Sequence, residues 1–188
     1  MNLFILRHAS AGTRRLNPLL DLKRPLDKEG KQHCLHLAYV LNALKISFDL
    51  VLSSPLKRSL QTAQLVATET GYESPILLSS ALAPQATFAE FQRLLQQSNG
   101  RENLLVVGHS PNLQLFLGSL LVPHQPAAGS SASPAIPQLR LRKGSIARLS
   151  LVGRSPATLL SLSRTSTRIC MAARHSARQT AACAVNVL

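Results

Sequence analysis

The chain has 188 residues, 45% apolar and 4% aromatic, which is room for one ordinary domain and a tail. No apolar run reaches the roughly 18 residues of a membrane span. The N-terminus has neither the basic start nor the small-residue cleavage site of a signal peptide. The formal net charge of +13 is uneven: 12 Lys+Arg and 8 Asp+Glu up to Leu121, then 9 Lys+Arg and no acid.

A basic C-terminal third invites nucleic acid or an anionic membrane as partner. Nothing else supports either, because there is no aromatic interleaving and no dense Lys/Arg block, so no such partner is expected. Cys34, Cys170 and Cys183 have neither metal-like nor CxxC spacing, which fits a reducing cytoplasm rather than a disulfide framework.

In chain order, Asn2–Leu6 reads as a short buried strand that stops at the loop Arg7-His8-Ala9-Ser10. Thr13–Pro25 reads as a polar loop. Asp27 is the expected N-cap of a helix to about Lys45, with Cys34, Leu37, Ala38, Leu41 and Leu44 on one apolar face. Phe48–Leu52 is a second strand. A helix is expected from Pro55, a favoured residue in a first turn, to Thr70. Ile76–Leu78 is a weak strand, Thr87–Gln97 a helix, and Asn103–Val107 a clear strand. Ser110 or Pro111 opens a further helix through Leu121.

Residues 122–137 read as a surface loop. Leu139–Leu151 alternates about Lys143-Gly144 like a hairpin or a pair of edge strands. The domain is therefore drawn over 1–152. Residues 153–188 are expected to be an atypical, poorly ordered basic tail, for which an altered reading frame is one explanation.

Strands alternating with helices indicate an α/β sandwich with a mostly parallel sheet, whose ligands bind at the carboxyl ends of the strands. Three polar clusters fall there: Arg7-His8, Ser53 to Arg58, and Gly108-His109-Ser110. A neutral imidazole that attacks phosphorus needs cationic forks to hold the phosphoryl oxygens, and Arg provides planar donors that stay charged. His8, Arg7, Arg58 and His109 supply that combination.

These residues carry a resemblance. LFILRHASAG, DLVLSSPLKRSLQTA and NLLVVGHSPNL resemble, in order, the three motifs of the histidine phosphatase superfamily, also called phosphoglycerate mutase-like. RPLDKEG resembles its RPLT-x-x-G segment and KGSIARL its late strand. The short length resembles the SixA-type phosphohistidine phosphatase branch. The resemblance implies a three-layer phosphoglycerate mutase-like fold. It implies His8 as nucleophile, Arg7 and Arg58 as phosphate clamps and His109 as a second pocket histidine. Arg24 and Ser10 are assigned to substrate binding. No cofactor and no metal are expected.

Two departures matter. Ala9 stands where the motif has Gly. Leu77–Thr87 also lacks the Glu or Asp that many alkyl-phosphate-cleaving members use as general acid. Glu90 is the nearest acid, and its helical place makes it a poor donor. An alkoxide must be protonated as it leaves, whereas the imidazole of phosphohistidine can already carry its proton near neutral pH. The expected substrate is therefore a phosphohistidine-containing protein, and the enzyme a metal-independent cytoplasmic phosphatase.

Small-molecule phosphomonoesterase or mutase activity, and a non-catalytic phosphoprotein-binding module, are the alternatives. His33 and His36 read as surface residues rather than a metal pair. Ser53-Ser54 lacks a GxSxG elbow and reads as a helix cap.

Overall fold

A computed structural model describes residues 1–122, 139–151 and 157–163. Six strands form one sheet: β1 (Asn2–Arg7), β2 (Leu50–Ser53), β3 (Leu77–Leu78), β4 (Asn103–Gly108), β5 (Ile146–Ser150) and β6 (Thr158–Ser163). Their order is β3-β2-β4-β1-β5-β6. The first four in that order pair in parallel, while β5 and β6 are antiparallel additions.

Continuous apolar runs make the central strands two-faced, because successive side chains point to opposite sides. Leu3, Ile5, Leu104 and Val106 face one way, onto Phe91 and Leu95 of α4 (Phe88–Gln97) and Leu113, Phe116 and Leu117 of α5 (Asn112–Leu121). Phe4, Leu6, Leu105 and Val107 face the other way. They meet Cys34, Leu37 and Leu41 of α2 (Lys28–Ala43), and Ala63, Val66 and Ala67 of α3 (Lys57–Glu69). Helices on both faces of a mostly parallel sheet give the three-layer sandwich expected from sequence.

Local chemistry sets several boundaries. Asp27 caps α2 by accepting from the Gly30 amide. Thr87 and Glu90 form a reciprocal capping box on α4. α3 starts at Lys57 rather than Pro55, with Leu56 as N-cap and no side-chain cap.

Three differences from the sequence reading stand out. The polar loop contains a short helix, α1 (Pro18–Leu22), capped by Asn17 with Pro18 at its start. Leu139–Leu151 is no hairpin: only Ile146–Ser150 is a strand, and the residues before it reach back toward the His8 loop. Finally, β6 lies beyond the boundary drawn at 152 and pairs with β5 through Leu149↔Leu159 and Ser150↔Thr158. The reading stopped at the composition change near Gly153 and so passed over the alternation Leu160-Ser161-Leu162-Ser163. The surface loop assigned to 122–137, apart from Val122, and the tail beyond 163 lie outside the described residues.

Candidate active site

β1, β2 and β4 run in parallel, so their carboxyl ends share one edge, and each delivers a polar residue there. Arg7 closes β1 and His8 follows it. The backbone amide of His8 donates to the Gly108 carbonyl at the end of β4 (3.0 Å), and that of Ser54 donates to Val107 (2.9 Å). These bonds extend the sheet ladder by one residue into the site and bring the first and third motifs together. The His8 and His109 rings lie 5.0 Å apart at their centroids.

The loop after His8 is held from below. Ala9 is fully buried and donates its amide to Thr62 Oγ1 (3.1 Å), whose hydroxyl donates to the Arg58 carbonyl. One helical turn thus joins the loop to the residue that carries the second arginine. Asp27 braces the far side: Oδ2 accepts from Ser10 Oγ (2.6 Å) and the Gly12 amide (2.7 Å), while Oδ1 caps α2. Gly30 lies so near the loop that a Cβ there would sit 2.0 Å from the Ser10 carbonyl oxygen. Only glycine permits that approach.

His8 Nδ1 is 2.8 Å from the Ala9 carbonyl. A carbonyl can only accept, so Nδ1 carries the proton and the Nε2 lone pair is left for chemistry. Burial, followed by Arg58, Arg7 and Lys143, lowers the pKa of His8 to about 3, against an opposing contribution from the Ala9 carbonyl. Burial, then His8, Arg58 and Arg7, lowers that of His109 to about 2. Both rings are therefore neutral across the ordinary pH range. His109 Nε2 lies 2.9 Å from Ser54 Oγ.

Arg7 Nη1 donates to the Leu141 carbonyl (2.7 Å), which fixes the arginine beside the loop that precedes β5. Arg58 Nη1 donates to the Asp21 carbonyl (3.0 Å) and approaches Asp21 Oδ2 at 3.4 Å. The buried Nε atoms of both arginines have no hydrogen-bond partner among the described residues. The pocket they line has a volume of about 880 Å³. Its cations are Arg7, Arg14, Arg15, Arg24, Arg58 and Lys143, and its one acid is Asp21. Such a cavity attracts an anion strongly.

His8, Arg7, Arg58 and His109 thus converge on one pocket. Arg24 lines it too, with Nε 2.9 Å from Asp21 Oδ1 and Nη1 donating to the Ala11 and Gly12 carbonyls. Ser10 does not line it: its hydroxyl is committed to Asp27, so the residue braces the loop. Ser54 does not cap α3 as expected, since that helix has no side-chain cap; its hydroxyl contacts His109 and accepts weakly from the Leu56 amide (3.4 Å). Asp21, Asp27, Ser54 and Lys143 are the residues that sequence reasoning missed. Asp27 carried a signal in RPLDKEG; Asp21 carried none, since its loop showed no periodicity.

Residues 3–84 match the family described as the histidine phosphatase superfamily (branch 1). An uncharacterized protein of Picosynechococcus sp. is 33% identical over 116 residues, which are 60% of this chain and 68% of that protein. The chain belongs to the histidine phosphatase superfamily.

The protein histidine phosphatase SixA, solved with tungstate, superimposes with a TM-score of 0.71 at 24% identity, over 85% of this chain and 94% of that one. The alpha-ribazole phosphatase from Shigella flexneri gives 0.61 at 18% identity, over 85% and 94%. A mycobacterial glucosyl-3-phosphoglycerate phosphatase complexed with VO3 gives 0.62 at 19% identity, over 84% and 96%. These likenesses establish the fold. Three different substrates on that fold leave the substrate of this chain to be argued from its own site.

Proposed function

We propose that the protein is a SixA-like phosphohistidine phosphatase that removes phosphate from a phosphorylated protein through a phosphohistidine on His8. The observation that carries this reading is the pinned His8 ring, neutral and with Nε2 unprotonated, in a pocket rich in arginine. Nε2 attacks phosphorus as the bond to the leaving imidazole breaks, and that imidazole departs with the proton its other nitrogen already bears. Arg7 and Arg58 hold the phosphoryl oxygens through the transfer. Water then attacks phosphohistidine, releasing inorganic phosphate and restoring His8.

Proton supply favours an N–P substrate. Glu90, exposed, is bound to the Thr87 amide and hydroxyl, which lowers its pKa. Asp21 is also held ionised, first by the Arg15 amide and then by Arg24 and Arg58. Neither is a carboxylic acid ready to protonate an alkoxide. The nucleophile and the cationic clamp come from the chain itself, so the reading invokes no metal. The unpatterned cysteines favour a cytoplasmic site of action.

Single-turnover labelling tests the reading. A radiolabelled phosphohistidine protein should give an acid-labile phosphoenzyme with the wild type and none with His8→Ala. Faster turnover of alkyl phosphates than of phosphohistidine, or labelling that survives in His8→Ala, would overturn it.

A further inference from the structure

One segment that lines the pocket is unusual in being apolar and unpacked. Leu16 is 102% exposed, Leu19 69%, Leu20 52% and Leu22 47%. No residue of α1 is buried. The side chain that ties α1 to the body is Asp21, through Arg24 and Arg58. Four exposed leucines fall within seven residues, a concentration unlike the singly scattered exposure normal for a surface.

Its position says what covers it. Leu16 and Leu22 line the same cavity as His8 and Arg58, so the patch is continuous with the phosphoryl site. Arg14 and Arg15 precede it and line the cavity as well. A phosphoryl group seated at His8 brings the body of its carrier against this rim. A sugar or free amino acid is too small and polar to cover leucines that lie outside the cavity, as Leu19 and Leu20 do. A folded protein with an apolar patch beside its phosphohistidine, and acidic side chains opposite Arg14 and Arg15, matches the rim in both polarity and charge.

We infer that Leu16, Leu19, Leu20 and Leu22 of the α1 segment, with Arg14 and Arg15, form a docking surface for an acidic protein bearing the phosphohistidine. This rests on the phosphohistidine reading above and adds how that substrate is selected. Apolar contacts at the centre of such a surface supply affinity, and the arginines at its edge supply encounter rate.

The test compares a small acidic phosphocarrier protein phosphorylated on histidine with free phosphohistidine. The full-length double variant Leu19→Gln/Leu20→Gln keeps helix propensity and touches no pocket-lining residue. Its KM for the phosphoprotein should rise at least tenfold with kcat unchanged, while kcat/KM for free phosphohistidine stays within twofold of wild type. An unchanged KM for the phosphoprotein overturns the docking surface. So does an equal loss on both substrates, which would mean the leucines shape the site itself. If the wild type cleaves neither phosphohistidine substrate but does cleave sugar phosphates, the phosphohistidine reading has failed and the docking surface goes with it.

Discussion

Lowering the pH from 6.5 to 5.0 should cost the folded protein stability through two residues, His8 and His109. Both are buried, at 7% and 3% exposure, and held neutral, with pKa values near 3 and 2 against an ordinary 6.5. The unfolded chain takes up protons as the pH falls through 6.5; the folded chain does not until far lower. Stability is therefore present in full above the unfolded pKa, and is lost steadily below it down to the folded value.

At pH 6.5 each unfolded histidine is half protonated, and at pH 5.0 almost wholly so. The loss over that interval is about 1.6 kcal/mol per ring, or about 3 kcal/mol for the pair. Against a total stability on the order of 10 kcal/mol this is large. In urea, with a slope of about 2 kcal/mol/M, the midpoint should fall by about 1.5 M. Asp21, Asp27 and Glu90, whose pKa values are lowered, contribute only at more acidic pH, so they stay silent in this window. Far-UV circular dichroism at the two pH values gives the measurement, and the double variant His8→Gln/His109→Gln gives the control. Equal pH slopes in wild type and double variant would refute the assignment of buried neutral rings.

Three further outcomes follow from the geometry. Replacing Arg58 with alanine should lower kcat by about a hundredfold to a thousandfold, the range for losing one transition-state donor, and lysine should restore only part of it; steady-state kinetics decide. Asp21→Asn removes the one acid among the residues lining the pocket, so the inhibition constant of tungstate or phosphate should fall about threefold to tenfold; a rise would show instead that Asp21 chiefly positions Arg58. Gly30→Ala should destabilise by more than about 2 kcal/mol in urea unfolding, because its Cβ would collide with the Ser10 carbonyl; on helix propensity alone it would stabilise by about 0.5–1 kcal/mol.

Much of this protein could be read from its residues because the signals were local and periodic. The runs Asn2–Leu6 and Asn103–Val107 read as buried strands, and the structure places β1 and β4 there. The spacing of Cys34, Leu37, Ala38 and Leu41 could only be one helix face. The rule for parallel sheets set three polar clusters at strand ends, and the resemblance of their motifs singled out Arg7, His8, Arg58 and His109 within them.

What the tertiary structure decided are contacts between segments that no spacing encodes. The Nδ1–H tautomer of His8 follows from the path of the Ala9 carbonyl. The site's Asp21 and Lys143 arrive from a short helix and a turn 122 residues apart in sequence. Ser10 turned from binding residue to brace because Asp27 lies beneath it. β6 joined the sheet by pairing with β5, and its short alternation Leu160-Ser161-Leu162-Ser163 did not by itself name that partner. Periodicity reports which face a residue presents, and only packing determines which groups meet across the space between elements.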